Sequence, residues 1–190
     1  MTTVGFSRAE LEAHVGATVD DLVGPDVRLL FVGINPGLWT AATGTHFAHP
    51  GNRFYPALLR AGIIEREIDR GTGMTDDDRD HLIARGIGIT NVVPRATARA
   101  SELTKRELVA GGENLRHFVR RHRPLVVAVA GVTAYRVAFG ERDAVIGEQP
   151  GGFEGSRLWV VPNPSGLNAH ETVGSLATWY AEPARAAGIL

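Results

Sequence analysis

Four short runs of apolar residues, at 27–33, 87–93, 125–130 and 158–162, punctuate the chain, each rich in Val, Ile or Leu. None alternates clearly between apolar and polar positions, so each predicts a strand covered on both faces, as in a parallel sheet. Helical spacing appears between them. Residues 52–61 set Phe54, Leu58 and Leu59 at near-helical intervals. Residues 75–85 open with Thr75 and three aspartates, which suit a cap and the positive end of a helix dipole. Thr104-Lys105-Arg106-Glu107 is a capping box that predicts a helix to about Arg121. Residues 7–15, 131–139 and 171–179 read as further helices, and Pro183 is expected to end or kink the last.

Strands alternating with helices predict an α/β fold: a three-layer α/β/α sandwich with a central, mainly parallel four-stranded sheet. The Gly-rich stretch 147–156 reads as a hairpin turn feeding the fourth strand. No repeat or low-complexity linker divides the chain, so 1–190 is expected to form a single domain. That length can bury roughly 70% of its unfolded surface.

Composition narrows the chemistry. With no cysteine, disulfides, thiolate zinc sites and cysteine-held clusters are excluded. No apolar run is long enough for a membrane helix, and Glu10 and Glu12 stand where a signal peptide would be apolar, so the cytoplasm is the expected compartment and no membrane partner is expected. The net charge of −1 is unevenly spread: basic residues outnumber acids nine to three over 85–123, and acids outnumber arginines seven to three over 65–80. That pattern allows a positive face for nucleic acid without demonstrating one. Lys105 is the sole lysine. Arginine stays protonated, so only Lys105 could supply an amine nucleophile from a side chain.

In a sheet of this kind ligands bind beyond the carboxyl ends of the strands. Two Asn-Pro segments fall there, Gly33-Ile34-Asn35-Pro36-Gly37 and Asn163-Pro164-Ser165-Gly166-Leu167, and so does Asn91. An Asn-Pro-Gly segment alone is ordinary turn chemistry. It is neither a P-loop nor a dinucleotide fingerprint, because the Gly-Lys-Ser/Thr and G-x-G-x-x-G patterns are missing. Residues 38–51 read as a long loop without regular structure, a length that usually signals function, and it carries Trp39, His46, Phe47 and His49. His46 and His49 have a spacing that could hold a metal, but no third ligand is evident, so neither metal nor other cofactor is expected.

Gly33-Ile34-Asn35-Pro36-Gly37-Leu38, then Thr43-Gly44, then Phe47-Ala48-His49-Pro50-Gly51-Asn52-Arg53-Phe54 closely resemble the mismatch-specific uracil/thymine DNA glycosylase family. Asn163-Pro164-Ser165-Gly166-Leu167 does the same, with Thr90-Asn91-Val92-Val93 and 102–108 as intervening segments. The motifs run in order over about 27–167. The resemblance implies that Asn35 positions an attacking water and that Phe47 stacks on a flipped base. It implies that Gly33, Ile34, Asn91 and Asn163 line the base pocket. It makes Pro164, Ser165, Gly166, Leu167 and Asn168 the loop that enters the DNA duplex, with Leu167 as the wedge and His170 beside it. Relatives often carry arginine where Ala169 stands, and some carry lysine where Asn91 stands.

The expected activity is hydrolysis of the N-glycosidic bond of uracil, in G·U or G·T mispairs among others, leaving an abasic site. The expected partner is double-stranded DNA and the expected state a monomer. The alternatives are a related glycosylase for deaminated purines or modified cytosine, and a noncatalytic module that binds damaged DNA. Neither Asn-Pro motif contains a carboxylate, so the base must leave as a stabilised anion rather than be expelled by a pair of acids.

Overall fold

The computed structural model describes residues 5–190. Its five strands are β1 (Leu29–Gly33), β2 (Ile87–Asn91), β3 (Val126–Ala130), β4 (Gly147–Phe153) and β5 (Ser156–Val161), in the order β2-β1-β3-β5-β4. The first four neighbours in that order are parallel. The helices are α1 (Arg8–Glu12), α2 (Leu38–Thr43), α3 (Phe54–Arg60), α4 (Asp76–Ala84), α5 (Lys105–His122), α6 (Val132–Phe139) and α7 (Val173–Ala186).

The absence of polar alternation has its explanation in the layers. Leu29 and Phe31 of β1 pack with Phe54, Tyr55 and Leu58 of α3, Leu82 of α4, and Leu176 and Tyr180 of α7. Leu30 and Val32 point the other way, against Leu115 and Val119 of α5 and Tyr135 and Ala138 of α6. Successive side chains thus enter two separate cores, and both must be apolar.

Three local expectations change. The sheet has a fifth strand, β4, antiparallel to β5. Its sequence, Gly-Glu-Gln-Pro-Gly-Gly-Phe, buries only Phe153, so it lacks the apolar run that announces a buried strand. Pro150 is tolerated because β4 is an edge. The turn into β5 places Glu154 at φ 52° and Gly155 at φ 89°, the twist a two-residue hairpin requires. Second, α7 continues through Pro183 to Ala186, because Leu176, Tyr180 and Ala184 are buried along one face and packing outweighs the missing N–H. Third, the stretch 38–51 is not devoid of structure: α2 occupies its first half and stops at Gly44, φ 67°.

Helix α5 approaches the segment that follows β2, and helix α6, closely through two adjacent glycines. A Cβ on Gly111 would collide with the Val92 carbonyl, and one on Gly112 would lie 2.6 Å from the Ala138 carbonyl. Backbone cannot yield as a flexible side chain can. Gly111→Ala should therefore destabilise the fold by roughly 1–3 kcal/mol, outweighing about 1 kcal/mol of helix propensity gained. Urea unfolding of the two proteins reads this directly; an unchanged or higher midpoint would show that α5 shifts freely.

Candidate active site

The chain leaves β1 for β2 on one side and then crosses to β3 on the other, so the order reverses beside β1. A crevice is expected at the carboxyl ends there. The β1 end supplies Gly33, Ile34 and Asn35; Asn91 ends β2 directly opposite Gly33 in register. Gly131 follows β3 at φ 111°, and Asn163 follows β5. A Cβ on Gly131 would touch Ile34 Cδ1 at 3.2 Å and lie 3.7 Å from Asn163 Nδ2, so these loops converge.

Asn35 is held by its nitrogen. Nδ2 lies 2.7 Å from Thr97 Oγ1, 2.9 Å from the Arg95 carbonyl and 3.2 Å from the Pro36 carbonyl. Thr97 Oγ1 donates to the Arg99 carbonyl at 2.9 Å, so it accepts from Asn35. Carbonyls only accept, which fixes the amide orientation: Nδ2 faces the protein and Oδ1, with no donor among the described residues, remains an acceptor. The segment presenting these acceptors is itself tied to β1 and its loop, by Val93 N–H to Ile34 O at 3.0 Å and Thr97 N–H to Pro36 O at 3.2 Å.

Arg95 is anchored in turn by Glu107, with Nε 2.8 Å from Oε1. Glu107 also accepts from the backbone and hydroxyl of Thr104 as the α5 capping box. The Arg95 hydrogen bond, then those from Thr104, hold the Glu107 carboxyl at about 2, below its ordinary 4.5. A folded pKa below the unfolded one means stability that is complete above about pH 4.5 and lost as pH falls toward 2. Glu107→Gln should therefore lower stability at pH 7, with the difference closing below pH 4.5. A gap that persisted at pH 2 would assign the effect to packing instead.

Phe47 has φ 56°, a left-handed conformation rarely adopted by a bulky side chain. Its ring stacks on Phe54 with centroids 4.1 Å apart and planes at 27°. Phe54 is buried against Phe31 and Tyr180, so Phe47 rests on the core. Its Cζ lies 3.3 Å from where a Gly33 Cβ would stand, and Asn91 Oδ1 lies 2.6 Å from the same point. A side chain at position 33 would fill the space between them.

The Asn163–Asn168 segment is a braced loop. Asn163 Oδ1 accepts from Ser165 N–H at 2.9 Å, Asn168 Nδ2 donates to Asn163 O at 3.1 Å, and Ser165 Oγ accepts from Leu167 N–H at 3.3 Å. Arg53 grips the loop from α3: its guanidinium donates to the carbonyls of Gly166 (3.1 Å), Asn168 (2.9 Å) and Glu171 (2.6 Å), and its backbone N–H to Pro164 O (3.0 Å). Gly166 passes so close to Gly51 that a Cβ would lie 2.6 Å from the Gly51 carbonyl. Leu167, at the tip, is 91% exposed.

Gly33, Phe47 and Asn91 thus lie together, Ile34 and Asn163 meet beside Gly131, and Asn35 is tied to Arg95 and Thr97, all at the strand ends where the crevice is expected. Pro164, Ser165, Gly166 and Asn168 shape the loop on its rim, and Ser165 and Asn168 spend their polar groups within that loop. His170 is exposed beyond it and no hydrogen bond directs its ring to the crevice. Arg53, Arg95 and Thr97 carry supporting roles that sequence reading misses; their partners lie up to 118 residues away. Among the described residues no three His, Asp or Glu side chains gather to hold a metal ion, and no helix is long and apolar enough to cross a membrane. A separate cleft of about 350 Å3, lined by Arg116, Tyr135, Phe139 and Phe153 among others, lies against β4 and lacks the converging amides.

The fold is similar to the solution structure of a protein from Methanosarcina acetivorans described as a "putative Uracil DNA glycosylase". The TM-score is 0.62 at 16% identity, over 90% of this chain and 98% of the other. The family model for the uracil DNA glycosylase superfamily matches residues 21–184, a span that includes both Asn-Pro segments, Phe47 and Asn91. By that match, the chain belongs to the uracil DNA glycosylase superfamily.

Proposed function

We propose that the protein is a monofunctional DNA glycosylase that hydrolyses the N-glycosidic bond of uracil in DNA and leaves an abasic site. The observation that carries this reading is the locked Asn35 amide: its nitrogen is committed to Arg95 and Thr97, and no donor among the described residues engages its oxygen. A neutral amide is a poor base, but its oxygen accepts a hydrogen bond from water and aims a water lone pair at the sugar carbon. Orientation of this kind is worth much of a barrier when the reacting atoms are held within about 3.5 Å. The bond then breaks with the base leaving as an anion and oxocarbenium character growing on the sugar.

Anion departure needs donors. Asn163 Nδ2 has no acceptor among the described residues and lies beside Gly131, so it is available to donate to a pyrimidine oxygen. Each such preorganised donor is worth roughly 3 kcal/mol by analogy with oxyanion holes. A duplex base is out of reach until the nucleotide is flipped, and the exposed Leu167 is the side chain available to fill the gap. Mispaired uracil costs least to flip, so G·U is the expected preferred duplex site.

Lys105, the sole lysine, is exposed in the first turn of α5. It is a solvated residue and not a Schiff-base nucleophile, so strand cleavage is not part of the reaction. The test is a panel of labelled oligonucleotides carrying uracil, thymine, hypoxanthine, xanthine or cytosine, with and without alkali. Uracil strands should break only after alkali, and borohydride should trap no covalent adduct. A trapped adduct lost in Lys105→Ala would overturn the monofunctional reading. Tight binding without release of any base would favour a noncatalytic binder of damaged DNA.

A further inference from the structure

His46 is a buried histidine, 5% exposed, with no part in the reaction as described so far. Both ring nitrogens meet polar atoms. Nε2 lies 3.0 Å from the Asp20 carbonyl, which can only accept, so Nε2 carries the proton. Nδ1 is then bare, and Asn91 Nδ2 lies 3.3 Å from it. With its nitrogen committed to His46, Asn91 is left with its oxygen against Gly33 and the edge of Phe47, where a base would lie.

We infer that His46 is a positioning residue: it fixes the Asn91 amide with oxygen toward the base, so that the pocket accepts bases presenting a ring N–H. This rests on the base-excision reading above, and what it adds is the residue that sets the Asn91 amide. Uracil and thymine carry such an N–H at N3, and hypoxanthine and xanthine at N1. Cytosine and adenine present a bare ring nitrogen on the same edge, which would face Asn91 Oδ1 acceptor to acceptor. A second proton on His46 inverts the arrangement. Nδ1–H would face Asn91, the amide would turn over, and Nδ2 would address the base.

The surroundings hold the ring neutral near pH 7. Burial pushes its pKa below the ordinary 6.5, and Arg79 of α4 works in the same direction. The bond to the Asp20 carbonyl and the Asp21 carboxylate oppose this. Asp21 is also engaged by Thr90 Oγ1 at 2.6 Å. From α3, the Tyr55 hydroxyl donates to the His46 carbonyl and leaves the ring alone.

The experiment is single-turnover uracil excision between pH 5 and 8 by wild type, His46→Asn and His46→Leu, each also made in an Asn91→Ala background. Asn at position 46 places an oxygen near the site of Nδ1 and does not titrate. It should stay within a few-fold of wild type at pH 7.5, and its rate should not depend on a proton at position 46. Leu removes the acceptor and should cost about tenfold or more, the worth of one misdirected hydrogen bond. In the Asn91→Ala background both substitutions at 46 should have no further effect; equal losses in both backgrounds would mean a merely structural role and overturn the inference. If the Leu variant fails to fold, His46→Ala takes its place in both backgrounds, and a loss no smaller beside Asn91→Ala than beside Asn91 refutes the inference. Uracil release indifferent to residue 46 would sink this inference only, whereas wild type releasing no base would sink the glycosylase reading beneath it.

Discussion

Asn35→Ala is expected to leave a folded protein that binds uracil-containing DNA but releases the base at least about 100-fold more slowly. The side chain is half-buried and its nitrogen bridges the β1 loop to Arg95 and Thr97, so some local loosening accompanies the loss. The Val93–Ile34 and Thr97–Pro36 backbone bonds do not involve the side chain and should hold the loop. Asn35→Asp is the sharper variant. It has nearly the same shape but places a carboxylate oxygen against the carbonyls of Pro36 and Arg95, acceptor against acceptor. It should be inactive at neutral pH and less stable than Asn35→Ala there, recovering stability as acid protonates the carboxyl. Single-turnover excision and fluorescence anisotropy on one labelled duplex separate chemistry from binding. Wild-type rates from the alanine variant would remove Asn35 from the mechanism.

Leu167→Ala should cost roughly 10- to 100-fold on duplex substrate and far less on single-stranded uracil. Unstacking a nucleotide costs a few kcal/mol, and an inserted apolar side chain offsets part of it. Single strands have no such gap to fill. Because Leu167 is 91% exposed, its removal should leave the unfolding midpoint unchanged. The loop itself is held by Arg53 and by the contact of Gly166 with Gly51, so truncation at the tip does not disorganise it. Equal losses on single and double strands would assign Leu167 to base binding instead of duplex invasion.

How far the sequence reaches follows from the range of the forces involved. The strands β1, β2, β3 and β5 were legible because burial on both faces leaves a short, mainly apolar run without polar alternation. The cap at Thr75 and the capping box at Thr104 marked helix starts correctly because the bonds span three residues. β4 escaped because an edge strand needs little apolar surface, and α7 outran Pro183 because its buried face decided the matter. Motif order names the candidate crevice residues, whereas the groups that hold them are not named by it. Nothing local tells that Arg53 closes on the loop at 164–171, or that the Arg95 carbonyl receives Asn35. His46, suspected only as a metal ligand, faces Asn91 across 45 residues. Such long-range hydrogen bonds leave no periodicity behind.

Hydrolytic excision of uracil is the reaction we propose for Asn35, Phe47 and Asn163. Its most direct test is simultaneous measurement of free base and strand integrity after incubating a G·U duplex with the wild-type protein and no added metal or cofactor. One equivalent of free uracil per abasic site is expected, in strands intact until alkali is added. Stable, saturable binding of that duplex with no free uracil, and none from the single-stranded oligonucleotide, would contradict it.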